Sequence, residues 1–255
     1  MLSVDKKACV ISHERSGTHF LMNTLALNFG YTVEPWWNLD YETGLNFYSH
    51  RSIEKHLRKA HDRAIPNILK THHSVDFLSD VLTYLTEQFH VFYIYRDPRD
   101  VMCSYWRMLR GLRWNEGPKC DSVGEFMRVA PSGALLRYQT EQMPSMLQRW
   151  KQHVDGWLNK AEGEYQGRMV LVRYEDLNKN FNQTMMSIAH DIGVGIDAPR
   201  RPPKDKNVVV AGKGKTGGFQ QHFTPEDHQL VESEVGDTLS RLGYVNDKTY
   251  ANAQE

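Results

Sequence analysis

Cysteine is scarce in this chain. Its 255 residues include three, Cys9, Cys103 and Cys120, with no C-x-x-C spacing among them. An odd, scattered set of that kind argues against a disulfide framework or a cysteine-built zinc site, and makes a reducing, cytoplasmic setting the default expectation. Long apolar runs are lacking as well. Nothing approaches the ~18 consecutive apolar residues of a membrane span, and the opening "MLSVDKKACVISHERSG" has no apolar stretch suited to a secretory leader. Net charge of either sign is also absent, since Lys+Arg and Asp+Glu both number 31. Binding to duplex DNA usually leaves a strongly basic balance, so neither nucleic acid nor membrane is expected as a partner. A local basic pocket for one small anion is still compatible with that balance.

What is present is an alternation. Short apolar runs rich in β-formers, "ACVIS" (8–12), "NILKT" (67–71), "HVFYIYR" (90–96) and "RMVLVRY" (168–174), are separated by longer helical patterns. This predicts an α/β fold, one domain with a central parallel sheet flanked by helices. Helices are predicted over 16–29, stopped by Gly30, and over 76–88, 145–161 and 181–193. Another is predicted from Asp97-Pro98, a carboxylate cap followed by proline in the first turn, to about Leu109. The Pro-, Gly- and Lys-rich stretch 194–218 is expected to be the least ordered, and the tail 245–255 flexible, around a core of about 8–243.

In open parallel sheets, ligands bind at the carboxyl ends of strands. Three polar segments fall there: "HERSGTHF" (13–20), "THH" (71–73) and "RDPRD" (96–100). The first joins a strand to a helix through small residues, a form that offers free N–H groups and the positive end of a helix dipole to an anion. Arg15 adds a permanent cation, and Ser16 and Thr18 add hydroxyls. The nucleotide loop GxxxxGK[ST] differs in having a first glycine and a lysine that this loop lacks, which weakens a magnesium-nucleotide kinase or NTPase as an alternative. Taken alone, each segment has a plainer explanation. "SGT" is an ordinary turn, Arg96 is paired with Asp97 or Asp100, and "GKGKTGGFQQHFT" (212–224) is a solvated loop.

Together, in this order, the segments resemble the PAPS-dependent sulfotransferases, the cytosolic type in particular. That family's [KR]SGT-T-W corresponds to Arg15, Ser16, Gly17, Thr18, His19 and Phe20. Its K-T-H triplet corresponds to Lys70-Thr71-His72, and its YxxR-[ND]-P-x-D-x-x-x-S run to Tyr93 through Ser104. Its Y-E-D is Tyr174-Glu175-Asp176, and its glycine-rich basic ending is partly kept from Gly212 onward. The resemblance implies an enzyme that moves the sulfuryl group of 3'-phosphoadenosine 5'-phosphosulfate (PAPS) to a hydroxyl of a small-molecule acceptor, releasing 3',5'-ADP, with no metal. It implies that residues 15–20, His19 included, hold the phosphosulfate. Arg15 and Lys70 would stabilise the transferring group, and His72 would act as the base. It further implies Arg96 and Ser104 on the 3'-phosphate, Phe20 and Tyr174 flanking the adenine, and Gly212, Lys213 and Gly214 closing over the 3' end.

Some positions depart from the family pattern. Arg15 stands for a lysine, Phe20 for a tryptophan and Gly212 for an arginine, and the family's Thr-Ser-Phe adenine contact is not recognisable. The dimer motif is degraded to Gln220, Thr224, Pro225 and Gln229, so a homodimer is expected only if that remnant still serves. The triplet selects His72 over His73, which strand alternation alone does not. A non-catalytic nucleotide-binding module is the other alternative, against which Lys70 and His72 speak. The acceptor pocket is expected from 34–50, 106–145 and part of 210–222, lined by Trp36, Trp37, Tyr41, Phe47 and Trp106.

Overall fold

The computed structural model describes residues 5–39, 50–65, 67–113, 115–203 and 216–244. Gly212, Lys213, Gly214, Tyr41, Phe47 and the tail 245–255 lie outside the described residues. The elements run β1 (Lys7–Ile11), α1 (Thr18–Phe29), β2 (Thr32–Asn38), α2 (His50–His61), β3 (Asn67–Thr71), α3 (Val75–Leu78), α4 (Leu82–Gln88) and β4 (Phe89–Tyr95). They continue with α5 (Pro98–Gly111), α6 (Val123–Arg128), α7 (Met146–Glu162), β5 (Met169–Arg173), α8 (Tyr174–Lys179), α9 (Phe181–Asp191) and α10 (Pro225–Arg241). No helix among them is long and apolar enough to cross a membrane. The chain divides into two compact units, one of residues 1–96, 137–140 and 156–214 and one of residues 97–136, 141–155 and 215–255.

The first unit holds the sheet. Five parallel strands lie in the order β2-β3-β1-β4-β5. Side chains alternate across a strand, and β1 shows this directly. Cys9 and Ile11 join one core with Ile53 and Leu57 of α2, Leu82 and Leu85 of α4, and Trp157. Ala8 and Val10 join the other, with Leu21, Met22 and Leu25 of α1 and Met185 and Ile188 of α9. Strands buried on both faces read as continuous apolar runs, which is why β1, β3, β4 and β5 were visible in the sequence to within a residue. The chain leaves β1 toward β3 on one side and later builds β4 and β5 on the other. The order therefore reverses between β1 and β4, and the crevice beyond their carboxyl ends is the switch point of the sheet.

Two elements of this unit differ from expectation. β2 was not predicted, because Pro35 interrupts its run; it occupies a sheet edge, where a missing N–H is tolerated. The helix expected over 76–88 is divided into α3, a 3₁₀ turn at Ser79–Val81, and α4. Leu78, Val81, Leu82 and Leu85 are all buried, so the apolar period persists through a tightening that it does not reveal.

In the second unit, α5 starts as predicted. The Asp97 carboxylate accepts from the Arg99 amide at 2.9 Å and Pro98 fills the first turn, a cap of about 1 kcal/mol. Asp97 also pairs with the Arg99 guanidinium at 2.7 Å. Asp100 accepts from the amides of Gly217 and Phe219 at 2.8 and 3.2 Å, anchoring the 3₁₀ turn Gly218–Gln221. Thr224 and Pro225, two remnants of the dimer motif, open α10: Thr224 and Asp227 form a reciprocal capping box and Pro225 follows.

Candidate active site

The loop after β1 is built to present amides. Arg15 has φ 67° and Gly17 has φ 100°, and Arg15 is the one non-glycine residue with positive φ among the described residues. A left-handed arginine costs roughly 1–2 kcal/mol, so surrounding contacts must hold it in place. The Ser16 amide closes a turn on the His13 carbonyl at 3.3 Å, and the amides that open α1 are what this loop offers an anion. Gly17 is also the N-cap of α1 and supplies no side-chain cap, so the positive end of the helix dipole lies at the loop.

Glycine is required at position 17 on two counts. Its φ disfavours an L side chain, and a Cβ there would lie 2.3 Å from Cδ2 of Tyr174. Beside it the Ser16 hydroxyl is fully buried and has no hydrogen-bond partner among the described residues. A buried hydroxyl costs about 1–3 kcal/mol if nothing engages it. These observations fit a bound anion, and PAPS carries the required phosphate and sulfate oxygens.

Cations come from the neighbouring strand ends. Arg96 follows β4 and is 8% exposed. Its guanidinium donates to the Arg15 carbonyl at 3.3 Å and lies 4.4 Å from the centre of the Tyr174 ring. Asp97 and Asp100 make the contacts within the second unit described above, and the Arg96 guanidinium reaches the loop. Lys70 is buried near the end of β3, opposite Val10 of β1, and shares a face with Ile68 on the α1 side. Ser104 is half-buried on α5 in the second unit.

The two histidines after β3 separate clearly. His72 Nδ1 lies 2.8 Å from the Ser12 carbonyl oxygen, which can only accept, so Nδ1 carries a proton and the lone pair of the neutral ring is on Nε2. The ring meets Tyr138 edge-on, with centroids 5.7 Å apart. His73 is fully buried, stacks on Phe77 at 4.1 Å and has Nδ1 2.7 Å from Thr71 Oγ1. Its carbonyl accepts from Trp157 Nε1 at 3.1 Å. His73 is therefore core and His72 lies at the loop.

The aromatic expectations divide similarly. Phe20 and Tyr174 meet at 6.2 Å and 72° on the α1 side of the sheet, and Tyr174 opens α8 rather than ending β5. His19 packs edge-on against Trp36 at 5.2 Å. Trp36 joins the core on the α1 face, whereas Trp37 joins the opposite one beneath Arg63. The pair does not line one pocket. In the second unit, the Trp106 indole donates to the Cys120 carbonyl at 2.9 Å.

Some neighbours of the site had no signal in the sequence. Ser12 touches His72 and Thr18, Tyr138 arrives from a distant segment, and the buried pair His13–Glu14 stiffens the loop's entry at 3.6 Å. Arg201 sits 5.7 Å from the Phe20 ring centre while donating to the Asn178 carbonyl at 2.6 Å. Among the described residues, no group of three or more His, Cys, Asp or Glu is placed to hold a metal ion.

Known proteins resemble this chain in sequence and in fold. A guinea-pig (Cavia porcellus) 3-alpha-hydroxysteroid sulfotransferase is 26% identical over 172 residues, 65% of this chain and 51% of the relative, so the match spans about half that relative's length. Human sulfotransferase 2A1 is 20% identical over 253 residues, 96% of this chain and 73% of the relative. The crystal structure of a mouse sulfotransferase complexed with PAP shares the fold, with a TM-score of 0.63 at 15% identity over 94% of this chain and 86% of that one. The sulfotransferase-domain family model matches residues 5–243. With that match running through nearly the whole sequence, the chain belongs to the sulfotransferase-domain family, a family of enzymes.

Proposed function

We propose that this chain transfers the sulfuryl group of PAPS to a hydroxyl of a small-molecule acceptor and releases 3',5'-ADP. The observation that carries this reading is the buried Ser16 hydroxyl, without a partner among the described residues, in a loop whose Arg15 and Gly17 are left-handed. PAPS supplies the activated sulfuryl group, and the residues of the chain position it and manage charge and proton.

Arg15 and Lys70 neutralise charge on the transferring group and on the oxygen that leaves, the main task in transfers of this kind. Arg15 cannot deliver a proton and acts only as a charge clamp. Arg96 takes the 3'-phosphate. Gly17 lets the Tyr174 ring approach the loop, and Tyr174 and Phe20 hold the base. His72 receives the acceptor's proton at Nε2 as the acceptor oxygen bonds to sulfur and the bridging S–O bond breaks. The leaving electron pair stays on the 5'-phosphate of 3',5'-ADP. The hydroxysteroid named in the guinea-pig relative supports a small apolar alcohol as the acceptor class.

Thermal unfolding with 3',5'-ADP and with ATP plus magnesium tests the donor assignment. A ligand at 100 times its Kd adds about 2.7 kcal/mol, a shift of several degrees. Stabilisation by 3',5'-ADP is expected, and a response confined to ATP with magnesium would overturn the reading in favour of a kinase or NTPase.

A further inference from the structure

We propose that Ser12 is a positioning residue that couples the basicity of His72 to occupancy of the anion cradle, through hydrogen bonds running from His72 Nδ1 to Ser12 Oγ to Thr18 Oγ1. The inference rests on the reading of residues 15–20 as the donor cradle and His72 as the base. Ser12 lies between the end of β1 and that loop, and all three side chains are buried. Its hydroxyl is 2.6 Å from Thr18 Oγ1 and 3.3 Å from His72 Nδ1, while its carbonyl is 2.8 Å from the same nitrogen.

The direction of the chain follows from the carbonyl. It forces the proton onto Nδ1, and that N–H is shared as a longer second leg with Ser12 Oγ, which therefore accepts there. The Ser12 proton then goes to Thr18 Oγ1, and the Thr18 proton goes onward from the first residue of α1. Phosphate and sulfate oxygens can only accept. An anion in the cradle draws the Thr18 proton toward itself and makes each oxygen behind it a better acceptor. The chain is polarised as a unit, and the positive imidazolium at its far end is stabilised. His72 is thus a stronger base when donor is bound than when the cradle is open, and the acceptor proton is taken most readily in the presence of its electrophile.

Other groups also bear on His72. Tyr138 meets its ring and accepts from Arg137 at 2.6 Å, Lys70 precedes it on β3, and His73 follows. None of these changes when the Ser12 hydroxyl is removed, so a difference between variants isolates the relay from their fields and from the direct field of the nucleotide.

The test is an NMR titration of the histidine Cε1–H signals with and without saturating 3',5'-ADP, His72 being assigned through His72→Gln. Nucleotide should raise the pKa of His72 in the wild type and in Ser12→Thr, and most of that rise should be lost in Ser12→Ala. If melting shows Ser12→Ala unfolded, Ser12→Cys, a weak donor and acceptor of similar size, takes its place. Equal rises in wild type and in the folded hydroxyl-free variant, with normal nucleotide binding, would overturn the relay alone. Failure of the wild type to bind 3',5'-ADP would overturn the donor-site reading and the relay with it.

Discussion

The two ends of the sheet in the first unit treat polar groups in opposite ways. At the amino ends of β1 and β4, polar atoms close on one another. The Lys7 ammonium donates to the carbonyls of Ala60 and Arg63. The Tyr31 hydroxyl lies 2.7 Å from His90 Nδ1, and His90 Nε2 faces Asp5 at 3.3 Å. Burial pushes the Tyr31 hydroxyl above its ordinary range and pulls His90 below its own, so both are neutral and the tyrosine donates. At the carboxyl ends the backbone is strained at Arg15, and the Ser16 hydroxyl is buried without a partner among the described residues. One end is finished by the fold itself, and the other is arranged for something the fold does not supply.

The comparison breaks most sharply at His72. His72→Ala should cut kcat/KM by about 10²–10⁴-fold, the usual scale for a lost general base, while leaving 3',5'-ADP affinity nearly unchanged. In the wild type, kcat/KM should fall as pH drops through the pKa of His72, because only the neutral ring accepts a proton. Near-full activity of the variant on an ordinary alcohol would remove His72 from the mechanism.

Gly17→Ala tests the cradle next. The added Cβ collides with Tyr174 and must adopt a left-handed backbone, which together cost about 2–4 kcal/mol. Calorimetry should show 3',5'-ADP affinity falling accordingly, and unchanged affinity would show that the ring's close approach is incidental. Arg96→Ala should weaken 3',5'-ADP by about 2–3 kcal/mol, the scale of a lost charge-assisted contact, and should barely affect 5'-AMP. Equal losses on both nucleotides would make Arg96 a structural residue, acting through the Arg15 carbonyl and the Tyr174 ring.

The smallest effect belongs to the closed end. Tyr31→Phe should cost about 1 kcal/mol of stability in denaturant melts without altering nucleotide affinity. His90 is depressed in the folded state, so its stabilising share is complete above the unfolded value near 6.5 and is lost as pH falls below it. His90→Gln should flatten that part of the stability–pH curve. A loss of 3',5'-ADP binding in Tyr31→Phe would erase the division between the two ends.

How much of this was legible in the sequence follows the range of the forces involved. Strands buried on both faces write themselves as apolar runs, and the caps at Gly30 and Asp97 are local chemistry, so these elements were read correctly. β2 was not, because tolerance of Pro35 depends on edge position, a property of the assembled sheet. Within the site, the small residues Ser16, Gly17 and Thr18 gave the expectation of an anion loop, but nothing local shows that Arg15 is left-handed. Ser12, Thr18 and His72 meet only because β1 and β3 pair in parallel with Ile11 opposite Thr71. Trp36 and Trp37 misled for the converse reason: adjacent residues on a strand face opposite ways, and a shared pocket was expected of two side chains that the pleat separates.

The position of β1 has a consequence for how the molecule acquires its structure. This strand precedes in the chain both of the strands that flank it, Asn67–Thr71 and Phe89–Tyr95. Its amides cannot be satisfied by nearby sequence, and closing such long loops is slow because chain entropy is lost before any contact compensates. During synthesis the loop of Arg15 and Gly17 therefore emerges before the strands that flank β1 and matures after them. It takes shape only after the chain has passed Tyr95, and until then Ala8 to Ile11 is an exposed apolar segment for chaperones to shield.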